Sequence, residues 1–444
     1  MDTSSHSRLF YLYLFILVWA PLPLASNRLW SMSLLIVLIF TLFGLFLYNL
    51  LREQTQLSRP LKKSWPAIAL LAIATGWTSI QAIPINGLSV SPNDSLHHSL
   101  FGWTLVCFFI LSLQLLNSRK RLLYLGYTLV GCGLFQAVYG SLMTLSGYEF
   151  TFFIPKDSYQ GVSTGTFINR NSQAGYLVMC VSIGIGLMIS TLNDEGSHNW
   201  RERGRRWLAA LLSKKTILRI SLLIIVAGLV MTHSRMGNTS FFASLMIIGV
   251  IGLILSRKAT RGMIVLLTSL LILDIFVVGT FFGIDKVAER LQTTSVEKES
   301  RDEVALTTLE MVRLQPLTGT GAGSFYTAFP EHRSEDVGRG FYVNTHNDYL
   351  EFLSEFGVIG TLPLALLILA SLGAGLYAQY KRKNKVLRGL AFGSSMSILA
   401  MLIHATVDFN LQMPANALTF IVVLALAWIA VYQKSGRKKK EVYR

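Results

Sequence analysis

LWSMSLLIVLIFTLFGLFLYNL, Leu29–Leu50, decides the fold. It contains no Asp, Glu, Lys or Arg, and Arg28 and Arg52 bracket it. As a helix rising about 1.5 Å per residue, such a run covers the roughly 30 Å hydrocarbon core of a bilayer. Working outward from it, comparable apolar runs recur at Leu9–Ala25, Ser64–Ile83, Leu100–Leu116, Leu122–Leu145, Asn171–Leu192 and Thr216–Met231. The rest lie at Asn238–Leu255, Gly262–Ile284, Tyr349–Tyr377, Val386–Ile403 and Ala417–Tyr432. The expectation is an all-α polytopic integral membrane protein crossing the bilayer about twelve times. A mean hydropathy of +0.49 with 14% charged residues excludes a water-soluble globule, which would lack polar surface to cover itself.

The net charge of +16 would suit nucleic acid only if the cations gathered on one continuous face. They fall instead in short runs between apolar stretches: Arg52–Lys63, Arg119–Arg121, Arg201–Lys215, Arg257–Arg261, Lys381–Arg388 and Lys434–Arg444. The alternate short connections hold only Arg28, Lys156, Arg170 and Arg235, with none between Ile403 and Ala417. This alternation is the positive-inside pattern, and it places both termini in the cytoplasm. Nucleic acid is therefore not an expected partner, whereas membrane lipid is. A cleaved signal peptide over Arg8–Ala25 is set aside, because a second span follows at once and keeping the first leaves the count even. Cys107, Cys132 and Cys180 all lie in apolar stretches, so neither a disulfide nor a metal cage is expected.

The chain divides into an N-terminal bundle of about nine helices (1–284), a large outer loop (285–347), C-terminal spans (348–432) and a basic cytoplasmic tail (433–444). The loop is too small for an independent core, which predicts that it packs down on the outer helix ends. Within it Ser300-Arg301-Asp302-Glu303 fits a capping box, predicting a helix from Ser300 that Pro316 stops. Arg301 shares the stripe of Ala305, Leu309 and Val312 at the positive end of that helix, so it faces either an anion or solvent.

The most informative stretch runs from Thr345 to Gly360, where the loop enters a span. Thr345 with Asp348 reads as a cap, which puts His346 at the first helical position, where the helix dipole favours a neutral, proton-accepting ring. The alternative is a histidine that merely caps or packs. Glu351 and Glu355 stand one turn apart, and two like charges there call for a partner, most simply arginine, unless both lie in water above the hydrocarbon. Arg235 follows Ser234 in a short outer turn, where a guanidinium either anchors at headgroups or forks onto phosphate oxygens. Asn169, Arg170 and Asn171 before the sixth span, and Gly321 and Gly323 within Pro316–Phe325, complete the candidate pocket. No strand–loop–helix context supports reading the glycines as a nucleotide loop; a tight turn with backbone N–H groups suits an anion.

Taken together, Gly165–Asn171, Ser234-Arg235, Arg301 with Pro316–Phe325, and His346-Asn347 through Glu355–Gly360 resemble the O-antigen ligase and O-antigen polymerase superfamily of bacterial envelope glycosyltransferases. The resemblance runs from about Phe167 to Leu411. It implies a GT-C-like, inverting, metal-independent and cofactor-free enzyme of the inner membrane with a periplasmic site. The implied donor is an undecaprenyl-pyrophosphate-linked glycan, and the implied acceptor is lipid A-core or another glycan. Arg235 and Arg301 match the pyrophosphate-holding arginines, and His346 the histidine that activates the acceptor hydroxyl. His404-Ala405-Thr406-Val407-Asp408-Phe409-Asn410 is similar to one subgroup and has no assigned role. A polymerase or a protein O-oligosaccharyltransferase would share this site. A lipid-linked glycan transporter fits less well, since the ionisable residues sit at outer helix ends rather than at the membrane midplane.

Overall fold

A computed structural model describes residues 4–52, 56–152, 154–191, 214–255, 268–269, 295–333 and 342–434. Its helices are α1 (Ser4–Trp19), α2 (Leu29–Arg52), α3 (Arg59–Lys63), α4 (Trp65–Gln81), α5 (Pro92–Leu115), α6 (Arg119–Ser146) and α7 (Arg170–Ser190). There follow α8 (Lys214–Met231), α9 (Arg235–Leu255), α10 (Ser295–Leu314), α11 (Phe325–His332), α12 (Asp348–Lys381), α13 (Lys385–His404) and α14 (Pro414–Tyr432). Two-residue strands, Phe150–Thr151 and Ile154–Pro155, pair antiparallel after α6. Eight helices among the described residues are long and apolar enough to cross a membrane. Every span expected from the sequence appears as a helix except Gly262–Ile284, which lies, apart from residues 268–269, outside the described residues.

The centre of the bundle is α7, whose spanning stretch is wholly buried. It lies along α13 so closely that the Gly186 and Gly389 backbones meet with no room for side chains. Small residues at such a crossing are what helix packing in lipid requires, because dispersion contacts there depend on close approach. Around this pair α6, α8, α9 and α14 complete the main core, while α4 and α5 join α12 and α14 on the other side.

Hydrogen bonds show which helix ends share one end of the bundle. Ser163 N–H donates to Met231 O at the end of α8, and the Thr166 hydroxyl to Pro21 O after α1. Asn416 of α14 reaches Ser172 O of α7, and Ser95 of α5 reaches Ala322 O in the loop before α11. Described residues of the basic runs meet at the opposite end: Arg382 donates to the Ala430 and Val431 carbonyls, and Gln433, beside Lys434, to Asn117 O before Arg119.

The most irregular element is α12. At Gly357 the backbone takes φ 60° and ψ −173°, a conformation open essentially to glycine alone, and the helix kinks. A Cβ at that position would collide with the Leu317 carbonyl. The kink frees carbonyls, and in a membrane protein each needs a donor. Thr361 Oγ1 supplies Phe352 O at 2.9 Å, Thr320 N–H supplies Ser354 O at 2.8 Å, and Trp77 Nε1 supplies Phe356 O at 2.8 Å.

Several helix starts and ends differ from the sequence reading, among them that of α5, which begins at Pro92 rather than Leu100. α1 stops at Trp19 rather than Ala25, because Pro21 and Pro23 cannot continue it. α10 begins at Ser295, so Ser300 lies inside the helix and is not its cap. The Glu-Lys-Glu run at 297–299 favours helix and carries it back past the apparent box. Its end at Leu314, before Pro316, is as expected. α12 is capped by Asn347, whose side chain accepts from Leu350 N–H at 3.1 Å, so His346 precedes the helix instead of opening it. The described part of the large loop packs at 316–325 onto the ends of α4 and α12, and it also has a small apolar cluster of its own in which Val304 and Met311 meet Phe325, Ala328 and Phe329.

Candidate active site

The first two turns of α12 organise the site. Glu351 is buried, and its carboxylate accepts from Asn344 Nδ2 at 2.6 Å, Thr345 N–H at 2.9 Å and the Thr345 hydroxyl at 3.1 Å. It thereby fixes the chain just before His346. Glu355, also buried, accepts from Phe325 N–H at 2.9 Å and from the Gly323 amide. Among the described residues neither carboxylate has an arginine or lysine within ion-pair distance. Amide and hydroxyl donors satisfy them in place of the expected guanidinium.

The glycine-rich loop Pro316–Phe325 folds against the α12 kink. Gly319, Gly321 and Gly323 all take positive φ, and Gly321 N–H donates to Glu355 O at 2.9 Å. Gln81 of α4 closes the unit, with Nε2 on Thr318 O (2.7 Å) and Glu355 O (2.9 Å), and Oε1 accepting from Ala322 N–H at 3.2 Å. The loop's amides are thus turned onto protein oxygens, and its chemistry is to hold Glu355 and the start of α11.

His346 adopts φ 55°, a left-handed conformation that histidine tolerates better than most residues. Its side chain is 24% exposed, with Nδ1 3.9 Å from Asp408 Oδ1 and its ring edge-on to Phe409 at 4.8 Å. Behind it Asp408 Oδ2 lies 3.6 Å from Nε2 of fully buried His404. Asp348 joins the same corner, donating its N–H to Ala405 O (3.0 Å) and Asp408 O (3.1 Å) and accepting at Oδ2 from Leu411 N–H at 3.1 Å. Asn347 Nδ2 adds a bond to Thr406 O at 3.0 Å. The start of α12 and the α13–α14 connection therefore form one unit carrying a partly exposed imidazole.

The remaining candidates lie along the rim of this end. Asn169 caps α7 by accepting from Asn171 N–H at 2.7 Å, and Arg170 lies over the Tyr159 ring, 5.6 Å from Cζ to the centroid. Ser234 accepts from Gly237 N–H at 3.2 Å at the start of α9, leaving Arg235 exposed. Gly237 packs on Ala174 of α7, and the next residue, Gly175, packs on Asn410 beside the histidine corner. The starts of α7 and α9 are linked in this way to His346. Arg301 falls in the first turns of α10, and its side chain lies outside the described residues.

Sequence reasoning assigned no role to His404, Asp408 or Gln81, and gave Asp348 only a part in capping. For the first two the signal was available: His404 and Asp408 are four apart, in a connection without cations. The contacts of Asp348 and Gln81 depend on long-range pairing that no local pattern announces. Beside Asp348 and His98 an apolar cavity of about 540 Å³ opens between helices, with Leu71, Phe101, Phe352 and Leu424 among its walls.

No curated protein matches the chain. Residues 220–365 do match the family model described as O-antigen ligase, a stretch that includes Arg235, Arg301, the glycine-rich loop, His346, Glu351 and Glu355. Over that stretch, α8 through the first half of α12, the chain is similar to the O-antigen ligase family, in agreement with the resemblance read from its motifs.

Proposed function

We propose that the protein transfers a glycan from an undecaprenyl-pyrophosphate carrier to an acceptor hydroxyl, with lipid A-core the favoured acceptor. In this reading the membrane is the bacterial inner membrane. The basic end of the bundle faces the cytoplasm by the positive-inside rule, so the His346 end faces the periplasm. The observation that carries the proposal is His346 itself: a partly exposed imidazole, held by a buried carboxylate network, at a helix end within the matched domain.

The chemistry follows from the groups present. The acceptor oxygen attacks the anomeric carbon, the bond from that carbon to the pyrophosphate oxygen breaks, and the hydroxyl proton passes to His346. The products are the glycoside, with inverted configuration, and the carrier pyrophosphate. Arg235 and Arg301 neutralise the charge developing on the departing phosphate, a task guanidinium performs without a metal.

The test is transfer in membranes supplied with carrier-linked glycan and lipid A-core. Conjugate should form, and His346→Ala, Arg235→Ala and Arg301→Ala, each verified as folded, should lose it. Full activity in all three variants would remove the site from consideration. A second reading, a polymerase whose acceptor is another carrier-linked repeat, rests on the same residues. Glycan ladders of a deletion strain separate the two, since core bearing a single repeat unit would persist only if the polymerase is missing.

A further inference from the structure

The corner behind His346 contains three buried ionisable groups that the transfer step does not use, Asp408, His404 and Asp348. Asp408 projects between two imidazoles, Oδ1 3.9 Å from His346 Nδ1 and Oδ2 3.6 Å from His404 Nε2. Asp408 is 1% exposed and His404 fully buried, and neither His404 ring nitrogen makes a hydrogen bond among the described residues. An apolar site holds such groups only when they partner one another. The carboxylate is itself fixed, since Oδ1 accepts from Phe409 N–H at 3.0 Å and the Asp408 carbonyl accepts from Asp348 N–H.

We propose that Asp408, backed by His404, is a positioning residue that orients the His346 ring for transfer. The clause about transfer rests on the reading of His346 as the group that takes the acceptor proton. With Nδ1 turned to the carboxylate, Nε2 is the nitrogen presented to the acceptor, and the carboxylate stabilises the imidazolium formed as the proton arrives. Asp408 gains and loses no proton in the step. The 3.9 Å separation is long for a hydrogen bond and closes with substrate in place, as catalytic hydrogen bonds often do. His404, 3.6 Å from the second carboxylate oxygen, packs behind Asp408 and so limits its turning away.

Asp408→Asn keeps the shape and removes the charge. It should lower kcat for transfer by about 10²-fold, the scale of a mis-set general base, while donor KM stays within about twofold. His404→Gln should lower kcat in the same sense and by less. In a His346→Ala background Asp408→Asn should cost nothing further, because the two act as one unit. A merely structural role would change KM, folding and the double variant additively. Unchanged kcat in folded Asp408→Asn, or an additive loss in the double variant, overturns the proposal. If Asp408→Asn does not fold, unchanged kcat in His404→Gln overturns it instead. Transfer that survives His346→Ala defeats the proton-acceptor reading first, and an inactive His346→Ala beside a fully active Asp408→Asn defeats the positioning role alone.

Discussion

Gln81 Nε2 donates to the carbonyl oxygen of Glu355 at 2.9 Å, joining residues 274 positions apart. The same side chain also holds Thr318 O and Ala322 N–H, so one buried amide ties α4, the glycine-rich loop and the α12 kink together. Gln81→Leu, which fills the space without the polar atoms, leaves those groups unpaired. The expected loss is about 1–3 kcal/mol of stability, read as a lower melting temperature in detergent. An unchanged melting temperature would mean that the three elements are held by packing alone.

Gly357→Ala tests the kink itself. The new Cβ meets the Leu317 carbonyl, and the φ and ψ there are costly for any other residue, by about 1–3 kcal/mol for the backbone alone. Folded yield should fall sharply, and protein that survives should show proteolytic cleavage in the loop at 316–325. Wild-type yield and protection would show that α12 can straighten at little cost.

Glu351 should matter as an acceptor rather than as a charge. Glu351→Ala strands Thr345 N–H and Asn344, releases the chain that carries His346, and should lower transfer at least about tenfold. Glu351→Gln keeps one acceptor oxygen and should retain more activity than the alanine variant. The reverse order in a transfer assay would show that the negative charge, not the hydrogen bonding, is what the site uses.

Arg235 is exposed at the start of α9, free to meet a ligand from the membrane surface. Under the proposed function, Arg235→Lys keeps a charge but not the planar fork, and should fall between wild type and Arg235→Ala in apparent donor affinity. Equal KM for donor in all three would place the phosphate elsewhere.

Much of the fold was legible because hydrocarbon imposes one requirement, an unbroken apolar helix, and Leu29–Leu50 meets it in plain composition. The ends were less legible. Ser300 mimics a cap, but good helix formers upstream override it, and Asn347 takes the capping role from Thr345 because its own side chain reaches Leu350 N–H. Of the candidate site, the stretch Thr345–Glu355 was readable since a helix turn brings its residues together. The partners of Glu351 and Glu355 were not, because charge alone suggested arginine where uncharged amide and hydroxyl donors suffice. His404 and Asp408 lay in plain view four residues apart, but their link to His346 depends on two helix ends meeting.

The break at Gly357 also decides how deep the carboxylates sit. Unbroken, the 34 residues of α12 would measure about 51 Å, far more than the roughly 30 Å of hydrocarbon. The portion after the break, 358–381, measures about 36 Å and suffices to cross with modest tilt. The nine residues before it, carrying Asp348, Glu351 and Glu355, are then not needed to cross the hydrocarbon and would fit a platform at its edge. Under the proposed function, a carrier lipid anchored in the bilayer would there present its phosphates to the site without leaving the membrane.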